Sequence, residues 1–331
     1  MSDRVAKLEL DAEEEGQARF DPRSRRSRTL TSTISPRLPG AVRYGVHSIQ
    51  NQRSEMEDAH RAVLGAACCS PSLRAQAEAW LGDLSYFSVF DGHGGSRAAE
   101  FSSDRLFALL VENRDQLHAE PELALQKAFA QTEAEWLTLA REEDLMDGTT
   151  AAVVVVDRMA GRCIVGNVGD SEVLLGGRSG DGGTFAQPLT EVHHCKRSAG
   201  EAQRIQHLGG RVWHGRLGHP KISPQVLSLS VSRAIGDLFF KDEKFTGGVA
   251  SGLTADPYIS SAEVCRGRLV HEFLLIGCDG LWDTVSYEEA ANLVLERLSD
   301  GEEPQVISEA LVRVARDAGS MDNITVMVVA F

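Results

Sequence analysis

No apolar run in this chain approaches the roughly 18 positions that a membrane-crossing helix needs. Ala151 to Val156 and Leu106 to Val111 are among the longest and fall far short, so no membrane span is expected. The first residues, Met1-Ser-Asp-Arg-Val-Ala-Lys, lack the apolar core of a secretory signal, so export is not expected either. Cysteine is sparse. Cys68, Cys69, Cys163, Cys195, Cys265 and Cys278 have neither C-x-x-C spacing nor the density of a disulfide scaffold, which suits reduced thiols in an intracellular setting, cytoplasmic or nuclear. Positive charge is in deficit: 34 Lys and Arg stand against 48 Asp and Glu, a net −14. That excludes a dedicated binder of nucleic acid or of an anionic membrane, which needs a basic surface. It does not exclude a phosphorylated substrate, because bound cations invert a local field. No Gly-Lys dipeptide occurs, so there is no P-loop, and His271-Glu272 has no second His at zinc-helix spacing.

What is present divides in two. Residues 1 to 40 join an acidic head, with Glu13 to Glu15, to a basic Ser/Thr stretch around Arg23 to Arg28, and their composition predicts a disordered arm. From 41 to 331 no long Pro-rich or Gly/Ser-rich linker or short repeat intervenes, and a hydrophobic fraction of 42% suffices for one substantial core. Short β-branched or aromatic runs bounded by Gly or Asp predict strands at Leu84 to Phe90, Ala151 to Val156, Arg162 to Val168, Glu172 to Leu175, His271 to Cys278 and Asn323 to Phe331. Ala99, Leu106, Leu110 and Leu117, followed by the Ala/Leu/Glu-rich stretch from Glu122 to Glu143, predict one helix pair. Ser286-Tyr-Glu-Glu289 has capping-box spacing and Pro304 can open a helix, which predicts a second. Consecutive strands from 151 to 190 require hairpins, so the class is α+β with mainly antiparallel sheets and helices outside them.

The most informative pattern is an apolar strand that runs straight into an aspartate. It occurs at Asp91-Gly92-His93, at Asp170-Ser171 and at Asp279-Gly-Leu-Trp-Asp283, while Asp322-Asn323 opens the last strand. One Asp-Gly is ordinarily a turn. Four such corners converging on one sheet edge would crowd carboxylates that cannot all stay ionised without cations. Carboxylate and carbonyl oxygens suit Mg²⁺ or Mn²⁺, with the carbonyl of Gly92 as a further candidate, whereas paired His and Cys for zinc are scarce. Upstream, Glu57 and Asp58 could serve a second cation bridged by Asp91, and the planar fork of Arg53 could hold two phosphate oxygens. An EF-hand fails by register, since His93 and Gly95 would fall at oxygen-ligand positions.

In order along the chain, Glu57-Asp58-Ala-His60, Val89-Phe-Asp91-Gly-His-Gly-Gly95, Gly148-Thr-Thr-Ala151, Gly169-Asp170-Ser171, Ser232-Arg-Ala-Ile-Gly-Asp237, Asp279-Gly-Leu-Trp-Asp283 and Asp322-Asn323-Ile-Thr resemble the metal-dependent, type 2C Ser/Thr protein phosphatases over residues 41 to 331. The resemblance implies a central β-sandwich of two mainly antiparallel sheets flanked by pairs of antiparallel helices, four layers in all. It implies a binuclear Mg²⁺ or Mn²⁺ centre that activates water for in-line attack on phosphoserine or phosphothreonine, with phosphoproteins as partners and a monomer as the expected state. Asp91 is then the bridging ligand, Asp279 and Asp322 ligands of the first ion, and Glu57 with the Gly92 carbonyl ligands of the second. Asp58 holds a water on the ions, Arg53 binds the phosphate, His93 is the general acid, and Asp170 with Asp283 serve a weaker third ion.

The chain also departs from the family pattern. Leu-Thr-x-Asp-His-Lys-Pro is replaced by Leu189-Thr-Glu-Val192-His-His194-Cys195, and Gly-Asp-Ser-Arg ends in Glu172. These changes adjoin Gly200 to Leu229, a flap in the family, and bear on substrate preference. Gly176 to Gly183 reads as a flexible hairpin loop. Two rival readings are a catalytically silent scaffold on the same fold and a thiol phosphatase built on Cys68-Cys-Ser-Pro-Ser-Leu-Arg74. The first must keep a self-repelling carboxylate cluster for no purpose. The second needs backbone N–H groups around a phosphate, where Pro71 removes one and no Gly curls the loop.

Overall fold

A computed structural model describes residues 42–65, 81–264 and 269–331, and all of them fall within one unit, Ile34–Phe331. The arm expected at residues 1 to 40 and the Cys68 to Arg74 stretch lie outside the described residues. Two five-stranded antiparallel sheets stack at the centre. One has the order β1 (Arg43–Ile49), β16 (Ile324–Ala330), β15 (Val270–Gly277), β8 (Glu172–Arg178), β9 (Thr184–Pro188). The other has the order β14 (Tyr258–Glu263), β7 (Arg162–Val168), β6 (Ala151–Asp157), β3 (Leu84–Phe90), β2 (Ala59–Val63).

Alternation along each central strand builds three apolar layers. Val154 and Val156 meet Ile276, Met327 and Val329 between the sheets. Val153, Val155 and Ile164 face Leu106, Leu110, Phe129 and Trp136 of the helices Arg97–Glu112 and Pro121–Glu143. Leu275, Val326 and Val328 face Val294, Leu295, Ile307 and Leu311 of the helices Tyr287–Ser299 and Pro304–Asp317. The architecture is the four-layer α-β-β-α sandwich that the family resemblance implies, and helices cover the outer face of each sheet.

Local chemistry sets the ends. The side chain of Ser286 accepts from the Glu289 amide at 3.3 Å while the Ser286 amide donates to the Glu289 carboxylate at 3.0 Å, the expected capping box, and Pro304 opens its helix. The first helical block differs from expectation. Leu117 does not continue the stripe of Leu106 and Leu110 but sits in a separate short helix, Arg114–Ala119. The break falls at Asn113, whose φ of −111° and ψ of 30° leave the helical region, and Pro121 then opens the following helix. In the Gly176 to Gly183 stretch only the tip is a loop. Gly176 and Gly177 lie inside β8, and a Cβ on Gly176 would stand 2.2 Å from the Phe273 ring.

Between β9 and β14 the helix Ala199–His207 and the small sheet of β10 (Arg211–Trp213), β11 (Arg216–Gly218) and β12 (Ser228–Leu229) share a minor core of Cys195, Ile205, Leu217, Val231, Phe240 and Leu253. A last three-stranded sheet joins β4 (Gly92–His93), β5 (Gly148–Thr149) and β13 (Ile235–Gly236). Among the described residues no helix is long and apolar enough to cross a membrane.

Candidate metal centre

Strand register delivers the aspartates to one edge. In the first sheet Gly277 pairs with both Val326 and Glu172, so Asp279, Asp170 and Asp322 all leave that end. In the second sheet Ala59 pairs with Phe90, Val89 with Ala152, and Ala151 with Val168, which brings Asp58, Asp91 and again Asp170 to the matching end.

Hydrogen bonds then fix the backbone. The Asp91 carbonyl accepts from the Thr150 amide at 2.9 Å and from Thr149 Oγ1 at 3.1 Å, and its amide donates to Thr150 Oγ1 at 3.1 Å. Asn323 ties the acidic segment to β16. Its Nδ2 donates to the carbonyls of Gln50 and Glu55 at 2.9 and 3.0 Å, and its Oδ1 accepts from the Glu57 amide at 2.8 Å. Two residues on, Thr325 Oγ1 donates to Asp58 Oδ2 at 2.6 Å. Gly92 must be glycine, because a Cβ there would stand 2.5 Å from the Glu57 carbonyl oxygen.

The carboxylates meet where water is scarce. An oxygen of Asp58, an oxygen of Asp91 and Cys278 Sγ lie within 4.8 Å of one another. Asp91 is raised well above the usual carboxylate range by burial, then by Asp279, Asp58, Asp170 and Asp322. Asp279 is pushed up by burial and then by Asp322 and Asp283, and it lies within hydrogen-bonding reach of Asp91. Asp58 and Asp170 are likewise raised, in both cases first by burial. Asp58 Oδ1 and Asp279 Oδ1 are buried and have no hydrogen-bond partner among the described residues. Buried oxygens without donors in a mutually repelling set of carboxylates fit hard divalent cations. By depth the sequence-predicted residues divide into buried Asp170, part-buried Glu57, Asp58, Asp91, Asp279 and Asp322, and Asp283 and Arg53 exposed at the rim. Arg53 is turned inward, its Nη2 2.5 Å from Asp322 Oδ2.

His93 sits on β4, and its Nε2 is 2.9 Å from both carboxylate oxygens of Asp237. Burial lowers the imidazole's pKa, but Asp237 and more distant carboxylates outweigh it, and the net direction is upward. Asp237 belongs to the Ser232 to Asp237 motif but is assigned no role by sequence reasoning. It follows β13 in a left-handed conformation, φ 58°, and β13 lies beside β5, which pairs with β4. Gly148 completes the arrangement, since a Cβ would stand 2.3 Å from Asp237 Oδ2 and 2.7 Å from His93 Nε2.

Cys278 is a second unforeseen neighbour, signalled only by its place before Asp279. Burial, then Asp58, Asp91 and Asp279, raise its thiol well above the ordinary range, so it stays a neutral thiol that accepts from the Thr325 amide at 3.2 Å. Of the departures from the family pattern, Glu172 opens β8, while Val192, His194 and Cys195 lie on the 190s segment, where Cys195 is buried and His194 Nδ1 accepts from the Lys196 amide at 2.9 Å.

A family model described as Protein phosphatase 2C matches residues 42–324. Protein phosphatase 1E of Mus musculus is 36% identical over 297 residues, covering 86% of this chain and 34% of that protein. Probable protein phosphatase 2C 22 of Arabidopsis thaliana is 32% identical over 305 residues, covering 91% of this chain and 71% of that protein. The chain thus spans about a third of the length of the mouse and human 1E relatives. Among solved structures, a serine-threonine phosphatase 2C from Toxoplasma gondii superposes with a TM-score of 0.71 at 21% identity, covering 90% of this chain and 96% of that one. A C. elegans sex determining protein superposes at 0.69 with 20% identity, covering 88% and 65%. At such identities these two likenesses speak to the fold alone.

Proposed function

The chain belongs to the protein phosphatase 2C family, and from that premise we propose that it hydrolyses phosphoserine and phosphothreonine in proteins at a centre of two Mg²⁺ or Mn²⁺ ions. The observation that carries the reading is the convergence of Asp58, Asp91 and Asp279, with one buried oxygen on each of Asp58 and Asp279 that finds no donor among the described residues. Asp91 would serve both ions, with Asp279 and Asp322 holding one and Glu57 with the Gly92 carbonyl holding the other. When bound, the ions supply Lewis acidity and neutralise the phosphoryl charge.

The chain's own groups do the rest. Arg53 exchanges Asp322 for the phosphoryl oxygens, which its planar fork binds as a pair. The free Oδ1 of Asp58 accepts a hydrogen bond from the attacking water and orients it in line, while Thr325 holds Oδ2. Asp237 favours the protonated form of the His93 imidazole, and that proton goes to the departing Ser or Thr oxygen, which leaves poorly without it.

The bridging role is tested by Asp91→Asn. Titration calorimetry with Mn²⁺ is expected to show weakened uptake at both sites, turnover is expected to vanish, and the circular dichroism of the sheets is expected to persist. Unchanged Mn²⁺ affinity in that variant contradicts the role.

A further inference from the structure

Glu172 stands at the start of β8 where the related pattern carries arginine, and its side chain is only 1% exposed. A buried carboxylate needs partners, and it has two. Arg197 Nη2 donates to Oε1 at 2.8 Å, and the Tyr287 hydroxyl donates to Oε2. The other terminal nitrogen of Arg197, Nη1, lies 3.6 Å from Asp283 Oδ1. The guanidinium is thus anchored on its inner side by a buried acid and turned on its outer side toward the rim of the carboxylate cluster.

Asp170 is buried two positions before Glu172, at the same end of the sheet that Asp279 leaves. Arg197 itself is held above its ordinary value by Glu172 and Asp283 against the effect of burial, so it remains charged at any working pH.

We infer that Arg197 is a built-in cation of the outer rim: anchored on Glu172, it pairs with Asp283, and so suppresses binding of a further divalent ion by Asp283 together with Asp170. The inference rests on the proposed use of the cluster to hold cations. A divalent ion placed between Asp170 and Asp283 would sit beside a fixed positive charge that its anchor keeps from withdrawing. The replacement of arginine by glutamate at 172 is then part of the device, because a second arginine there would repel Arg197 rather than hold it.

The test is titration of the EDTA-stripped full chain with MnCl₂ by calorimetry. Wild type, Arg197→Met, Arg197→Lys and the double variant Glu172→Gln/Arg197→Met are compared, with circular dichroism as the check of folding. The double variant removes the buried anchor's charge along with its partner, so it reports even if Arg197→Met alone fails to fold. Expected is an unchanged tight uptake in all four. In the Met variants a further weak site is expected to tighten by about tenfold, the effect of removing one nearby like-charge repulsion. Arg197→Lys, which keeps the charge, is expected to follow wild type. Superimposable isotherms for wild type and the double variant overturn the inference. So does a rise in KM for a phosphothreonine peptide with unchanged ion uptake, which makes Arg197 a substrate ligand instead. Absence of any Mn²⁺ uptake by wild type is a separate result that removes the functional reading, and this inference with it.

Discussion

His93 and Asp237 are separated by 144 residues, and neither has a defined task until the other is beside it. If the pair delivers a proton, its loss matters most for a poor leaving group, since an alkoxide needs the proton and a nitrophenolate leaves largely without it. His93→Asn is expected to lower kcat on a phosphothreonine peptide by about 10²-fold or more, with a much smaller effect on p-nitrophenyl phosphate. Asp237→Asn is expected to give the same asymmetry at smaller size. Equal losses on both substrates point to damaged ion geometry instead. Away from the centre, Glu201 is tied at 2.7 to 3.2 Å to Arg204, Arg233 and Ser232. Burial pushes its carboxyl up, but these partners prevail and hold it well below the usual range. A depressed carboxyl stabilises the fold above its unfolded pKa, about 4.3, and the benefit goes as pH falls toward the folded value. Glu201→Gln is therefore expected to cost about 2–3 kcal/mol at neutral pH. Urea melts should show the gap to wild type closing below about pH 4; a gap that stays constant to pH 3 contradicts this.

At the scale of elements, the six strands legible in the sequence are the six central ones: β3, β6, β7, β8, β15 and β16. Each is covered on both faces, so each reads as a run of apolar residues. The strands that escaped, β1, β2, β9 and β14, are the four sheet edges, half-exposed and mixed in composition, and their existence depends on the neighbour that pairs with them. The small sheet of β4, β5 and β13 was illegible for the same reason, although its residues supplied part of three of the quoted motifs. Gly148 isolates its contribution. A methyl group there collides with Asp237 and His93 without removing either charge. Gly148→Ala is expected to reproduce most of the His93→Asn loss on the phosphothreonine peptide, at least about tenfold, through misplacement alone. Ser286→Ala is the contrasting case. It removes the capping box remote from this pair and is expected to cost about 1 kcal/mol of stability with kcat unchanged. Thermal melts and steady-state rates on the two variants check both expectations.

At the scale of the molecule, aspartates scattered from Asp58 to Asp322 become a centre because two sheets end at the same edge. The order of motifs made that convergence legible before any coordinates did. Depth was not legible: spacing alone does not reveal that Asp170 is buried while Asp283 is exposed, nor that Arg53 rests on Asp322 and Arg197 reaches the rim. A chain of net charge −14 that buries several carboxylates together works against its own electrostatics unless cations answer them. The account's central claim is that this cluster holds the divalent ions that make hydrolysis possible. The measurement that tests it most directly is the rate of phosphate release from a phosphothreonine peptide by the EDTA-stripped full chain, before and after Mn²⁺ or Mg²⁺ is restored. The account predicts no turnover in excess EDTA and recovery on adding either ion. Full turnover in excess EDTA contradicts it.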